Sequence, residues 1–135
     1  METMPWDLID HTGDVGIDVR APSREALFAE AATALFDLLA GIPADAAGTR
    51  ETIPLPPGDP AESLREFLGD LLYRFSVDRR MYVAFEPGTG AVEARWEPYD
   101  AARHPLRTEL KAVTWHQLAA SETANGWTAR VIFDV

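Results

Sequence analysis

Between residues 60 and 77 the apolar side chains recur at a single spacing. Leu64, Phe67, Leu68, Leu71, Leu72 and Phe75 fall at i, i+3, i+4, i+7, i+8 and i+11, which predicts a helix with one buried face. Asp59 stands at the capping position, Pro60 suits the first helical residue, and Glu62 is placed to reach back toward the cap. Beyond Asp78-Arg79-Arg80 the period drops to two. Met81, Val83 and Phe85 alternate, Pro87-Gly88-Thr89-Gly90 turns the chain, and Val92, Ala94 and Trp96 return. A one-sided helix followed at once by a one-sided hairpin has to bury both faces by stacking in layers.

The flanking sequence extends this pattern. Pro5-Trp6-Asp7-Leu8-Ile9 reads as a short first strand, and Gly16-Ile17-Asp18-Val19-Arg20 alternates as a half-buried second one. Ser23 caps a helix over residues 24–40, with Leu27, Phe28, Ala31, Leu35, Leu38 and Leu39 as its stripe and Gly41-Pro43 as its stop. Thr49 to Leu55 reads as a strand in which Pro54 demands an edge or an end. After a proline-bracketed loop at 97–105, a long strand is expected from Leu106 to about Leu118, with Leu110, Ala112 and Thr114 on one face. Asn125-Gly126 signals a hairpin into a last strand from Trp127 to Asp134. The predicted class is α+β, a mixed and largely antiparallel sheet with two amphipathic helices packed on it, as a single domain over residues 1–135.

Charge narrows the function. Twelve Lys and Arg against 22 Asp and Glu give a net charge of −10. Nucleic-acid backbones are bound by Lys and Arg that displace counterions. Tight, unaided nucleic-acid binding is therefore not expected, and a basic protein partner or a bound cation suits the charge better. The chain has no cysteine, which removes disulfides, thiolate metal sites and a cysteine nucleophile together. No apolar run nears the ~20 residues of a membrane span, and the N-terminal residues lack a basic segment followed by an apolar one. The cytoplasm is the expected compartment.

The densest polar stretch is Asp10-His11-Thr12-Gly13-Asp14-Val15-Gly16. It reads either as a hydrogen-bonded turn between two strands or as half of an oxygen-ligand cation site completed by Asp134 and Val135. In the second reading three negative groups meet, an arrangement that needs a cation or a basic residue. His104, Glu109, Lys111 and His116 form another polar set; Glu109 and Lys111, two apart on the expected strand, share a face there. The spacing of His11, His104 and His116 matches no compact zinc signature. There is no Gly-x-Ser-x-Gly elbow and no phosphate-cradling glycine loop. Hard oxygen ligation of calcium, magnesium or manganese is what remains.

Several blocks together resemble the archease family: Asp10 to Gly16 followed by Leu27-Phe28 and Ala34-Leu35-Phe36-Asp37-Leu38, Leu64 through Phe75, Arg103-His104-Pro105 leading to Glu109-Leu110-Lys111-Ala112-Val113-Thr114-Trp115-His116, and the ending Arg130 to Val135. Gly13 replaces a usual Ala, Trp115 stands where Tyr is common, and the proline-rich 54–60 connector is atypical. The resemblance implies a small non-catalytic protein that activates RtcB-type RNA ligases in tRNA splicing and RNA repair. It speeds guanylylation of the ligase, restores multiple turnover and carries a divalent-metal site, often with calcium. Carried over by motif, the ligands are Asp14, Asp134 and Val135, with Asp10, His11, His104, Glu109 and Lys111 as supporting or partner-facing positions. Two readings from other classes stand beside it. One is a metal-dependent hydrolase with His11 or His104 as general base; the other is a chaperone that binds unfolded clients.

Overall fold

The computed structural model describes residues 5–11 and 14–135, with residues 10 and 11 as backbone only. The elements run β1 (Trp6–His11), β2 (Asp14–Ala21), α1 (Arg24–Leu39), β3 (Thr49–Pro54), α2 (Pro60–Ser76), β4 (Arg80–Pro87), β5 (Ala91–Pro98), β6 (Ala112–Val113), β7 (Ala119–Thr123) and β8 (Gly126–Asp134). They form two sheets: β1-β2-β8 with β6 and β7 both on the far edge of β8, and β3-β5-β4. Every strand pairing described is antiparallel.

Both helices begin where the caps demand. The Ser23 hydroxyl accepts from the Ala26 N–H at 3.1 Å, and the Asp59 carboxylate accepts from the Glu62 N–H at 3.1 Å. The end of α1 is set from outside the helix. The Gly41 N–H donates to the Pro105 carbonyl and the Arg107 N–H to the Leu39 carbonyl, both at 2.9 Å, so a crossing segment meets the last turn.

The two helices differ in kind. α2 buries the predicted stripe and exposes the rest, whereas α1 is buried on almost every side. It touches β2 and β8 of one sheet and β4 and β5 of the other. Ala26, Ala29, Ala31, Ala32 and Ala34 permit this, because a methyl group lets a sheet approach where a longer side chain would hold it away. Aromatic rings close the space between: Phe36 lies 5.4 Å from Tyr82, 5.6 Å from Phe85 and 6.1 Å from Phe75, centroid to centroid. The buried Tyr82 hydroxyl donates to Glu51 at 2.6 Å, and Arg74 reaches the same carboxylate at 2.9 Å. Burial raises the Tyr82 pKa above the ordinary phenol value, so the hydroxyl keeps its proton and remains a donor.

On β2 and β8 the odd residues Ile17, Val19, Val131 and Phe133 face the helices, and Asp14, Asp18, Arg130 and Asp134 lie on the opposite face. Ile132 is buried on that outer face, directly opposite Gly16; a Cβ at residue 16 would stand 2.5 Å from its Cδ1, so a side chain there would require Ile132 to shift. In the β7–β8 hairpin the turn falls on Ala124 and Asn125, one residue earlier than an Asn-Gly turn would place it. Gly126 takes the positive φ, 123°, at the start of β8.

The long strand expected from Leu106 to Leu118 does not form. Residues 112–113 pair with 134–133 and residues 119–123 with 130–126, leaving five residues, 114–118, opposite two on β8. The excess is pushed outward in a loop with Gln117 at φ 51° and Trp115 and His116 exposed. The expected face of Leu110, Ala112 and Thr114 is replaced by burial of Leu110 and Val113. The bonds that decide this are long-range: the Lys111 N–H to the Asp134 carbonyl at 2.8 Å, and the Thr114 N–H and hydroxyl to the Ile132 carbonyl, each at 2.9 Å.

One helical residue has no packing explanation. Gly69 lies in the middle of α2, and a Cβ there would meet no atom within 4 Å. Glycine at an interior helical position costs about 0.5–1 kcal/mol relative to alanine.

Candidate functional site

The register of the larger sheet brings the two ends of the domain into one line across the strands. His11 pairs with Asp14, Asp14 with Asp134, and Asp134 with Ala112. Residues directly opposite in an antiparallel pair have Cα atoms about 4.5–5.5 Å apart and side chains on the same face. Asp14 and Asp134 are therefore two carboxylates side by side at the sheet end, with Val135 next in the chain and its side chain packed on the core.

What surrounds this pair is as informative as the pair. Four residues along the same face, Asp18 is held by Arg130 through two bonds of 2.8 and 2.9 Å, and Asp7 pairs with Arg20 at 2.9 Å. The hydrogen bonds from Arg130 keep Asp18 below the usual carboxylate range. Asp14 and Asp134 have no such guanidinium: among the described residues neither makes an ion pair. Like charges directly opposite on a ladder are destabilising, so among the described residues this pair has no ion pair to offset its charge, which a hard cation would neutralise.

The donor set fits such an ion. Asp14 and Asp134 offer carboxylate oxygens and Val135 a main-chain oxygen, the ligand type of calcium and magnesium. Among the described residues no group of three His, Cys, Asp or Glu side chains is gathered for a metal. The remaining positions would fall to water; the side chains of Asp10 and His11, and residues 12 and 13, lie outside the described residues.

Against this geometry, the family comparisons are decisive. A sequence model of the archease protein family matches residues 6–135. The archease of Methanopyrus kandleri is 35% identical over 98% of this chain and 100% of its own length. That of Methanosarcina barkeri is 33% identical over 96% and 95%. The chain belongs to the archease family. The fold agrees with two solved structures. The solution structure of protein 1598 from Methanobacterium thermoautotrophicum superposes with a TM-score of 0.75 at 22% identity, over 98% of this chain and 100% of the other. The crystal structure of a Thermotoga maritima archease, titled a possible chaperone, gives 0.66 at 20% identity over 94% of each chain.

The other sequence-derived candidates of this archease chain scatter. Lys111 borders the corner, since its N–H binds the Asp134 carbonyl, and its ammonium is exposed. Glu109 is exposed, lies outside any strand, and makes no ion pair with Lys111 among the described residues. His116 sits on the outward loop rather than on a strand face. His104 is the clear correction. It is completely buried, its Nδ1 accepts from the Asp100 N–H at 3.0 Å, and its Nε2 meets Glu97 at 2.5 Å. Because a backbone N–H can only donate, the ring carries its proton on Nε2 and donates it to Glu97. With both nitrogens engaged and no exposed surface, His104 neither faces a partner nor serves as a general base. It fastens the 97–107 loop against Tyr99, whose ring stacks on it at 5.8 Å.

Replacing His104 by alanine should strand the Asp100 N–H and lower stability by about 1–3 kcal/mol for that group alone, seen as an earlier urea midpoint. Glu97 adds a pH dependence. The hydrogen bond from Arg103, and with it the one from His104, holds its pKa below the ordinary glutamate value. A depressed folded-state pKa contributes stability that is present above the unfolded value and disappears as pH falls through the folded one. Asp18 has the same sign, so unfolding free energy should be flat near neutrality and fall on acidification below the usual carboxylate range. Glu30 opposes it: burial raises its pKa, so Glu30→Gln should flatten the region just above the ordinary glutamate value. Urea midpoints at a series of pH values test both signs.

Sequence reading missed one set of residues altogether. Arg65 of α2 lies over the ring of Trp115 at 4.1 Å, beside the groove floored by Gly69. A glycine inside an otherwise clean helical stripe was the available signal.

Proposed function

We propose that this protein is a non-catalytic activator of an RtcB-type RNA ligase, and that a divalent ion, calcium in the first instance, organises the corner that acts on the ligase. The observation that carries the reading is the Asp14–Asp134 pair, two opposed carboxylates that, among the described residues, have no guanidinium on a face where the neighbouring acids have one. Family membership supports the assignment of the partner.

In this reading Asp14 and Asp134 hold the ion with the Val135 main-chain oxygen and tie the last strand to the first hairpin. The bound ion supplies neutralisation of that charge and a fixed relation between the two ends. The net charge of −10 suits approach to a basic ligase surface and disfavours direct capture of RNA. The activator then biases the ligase toward the conformation competent for guanylylation, a shift of population rather than added chemistry. No helix of the described residues is long and apolar enough to cross a membrane, and action in the cytoplasm is part of the proposal.

The test combines the protein with an RtcB-type ligase, GTP, Mn²⁺ and RNA ends bearing a 2′,3′-cyclic phosphate and a 5′-hydroxyl. Multiple turnover should appear only with the protein present. Turnover that is identical with and without it ends the proposal. Hydrolysis of simple phosphoesters by the protein alone would move the corner to the hydrolase class.

A further inference from the structure

We infer that the groove between α2 and the 111–113 segment is a docking site for a segment of the partner ligase that presents one apolar side chain and one carboxylate. The inference rests on the ligase reading above and adds where the two proteins grip. The groove has a volume of about 490 Å³, with Gly69, Leu72 and Tyr73 of α2 on one side and Lys111 and Val113 on the other.

Four observations carry it. Gly69 is the first. Its backbone is helical, no neighbour excludes a Cβ, and alanine would make a better helix, so the fold does not explain it. What the missing side chain does provide is an open floor in this groove. Exposed aromatic surface is the second: Trp115 is 61% and Tyr73 58% exposed, in a chain whose other tryptophans are partly buried. Tyr73 lines the groove and Trp115 adjoins it through Arg65, and solvent-exposed rings at a concavity are the usual anchors of a protein interface.

The third is charge. Most arginines of this acidic chain rest on carboxylates, including Arg74, Arg80, Arg103, Arg107 and Arg130. Arg65 and Lys111 line the groove with no carboxylate partner among the described residues, against the single acid Glu66. The guanidinium of Arg65 stacks on the Trp115 ring at 4.1 Å and makes no ion pair among the described residues. Fourth, the groove adjoins the proposed metal corner, because Lys111 binds the Asp134 carbonyl through its N–H at 2.8 Å. A segment seated here would be held beside that corner.

These features select a protein segment. An inorganic anion would leave Leu72, Tyr73 and Val113 unused, and an RNA strand would meet a chain of net charge −10. The carboxylate of the segment would pair with Lys111 and Arg65, and its apolar side chain would lie over Gly69 beside Leu72 and Tyr73.

The experiment measures binding of the full-length protein to an RtcB-type ligase, by titration calorimetry, for the parent chain and the variants Gly69→Ala, Gly69→Leu and Lys111→Glu, with melting curves of each. Both Gly69 variants should melt higher, by roughly 2–4 °C, showing that the fold is intact. Gly69→Leu fills the floor and Lys111→Glu reverses the charge, and each should weaken binding at least tenfold or so. The protein concentration for half-maximal stimulation should rise by the same factor. If the parent chain stimulates the ligase while Gly69→Leu and Lys111→Glu bind it as tightly as the parent, the groove is not the dock and the activator reading stands. If the parent neither binds nor stimulates, both fail together. Self-association of the parent that Gly69→Leu abolishes, or binding to free RNA that Lys111→Glu abolishes, would assign the groove to a second copy or to RNA and overturn the inference.

Discussion

An Asp134→Asn chain should melt at a higher temperature than the parent in a chelator and at a lower one in calcium. The reversal follows from the geometry. Asp14 and Asp134 are opposed on the ladder, and among the described residues neither pairs with a guanidinium. Removing one charge relieves about 0.2–1 kcal/mol of repulsion in the ion-free protein, which is roughly 1–4 °C at this chain length. The same change removes a carboxylate ligand. A ligand at a hundredfold excess over its Kd stabilises the native state by about 2.7 kcal/mol, and the variant should lose most of that. Asp14→Asn should behave alike, and both should fail to restore multiple turnover to the ligase. Differential scanning calorimetry with EDTA, calcium and magnesium reads the first effect without any enzyme assay. Retention of the parent's calcium shift in both variants would remove the metal corner from the account, whatever the ligase assay shows.

Phe36→Ala should come close to unfolding the protein. Phe36 is fully buried in the helix that lies between the two sheets, and its ring meets Phe75, Tyr82 and Phe85. Truncating such a residue costs about 3–5 kcal/mol through lost transfer energy and the cavity left behind. Aromatic pairs contribute a further ~0.5–1.5 kcal/mol each beyond burial. Domains of this size are stable by only about 5–15 kcal/mol, so the variant should have a urea midpoint a third to a half of the parent's and expose apolar surface near 37 °C. Leu38→Ala on the same helix is the control: Leu38 is half-buried and should shift the midpoint far less. Equal losses at the two positions would mean that α1 is not enclosed as described.

How much of this was readable from the chain depended on the range of the interactions involved. The limits of α2, its cap at Asp59 and the alternation of β2, β5 and β8 are local matters, and they stand in the structure almost where the pattern puts them. The burial of α1 on both sides was not readable, because alanines on its flanks are neutral toward burial and only the second sheet decides it. The Leu106–Leu118 stretch alternates like a strand but is broken after Val113, where carbonyls of β8 from twenty residues away take its N–H groups. His104, in a loop bracketed by prolines, read as a supporting or partner-facing position or as a general base, and only the fold shows it sealed between Glu97 and Asp100.

By itself, the order of residues determined that this chain is a layered α+β domain, that it is acidic and free of thiol chemistry, and which family it resembles, because period, composition and short motifs are properties of neighbours along the chain. Only the tertiary structure decided that Asp14 stands against Asp134 with, among the described residues, no guanidinium on either, and that Gly69 opens a groove beside Lys111. Both depend on strand register and helix placement over more than forty residues of separation, which are set by the packing of the whole core.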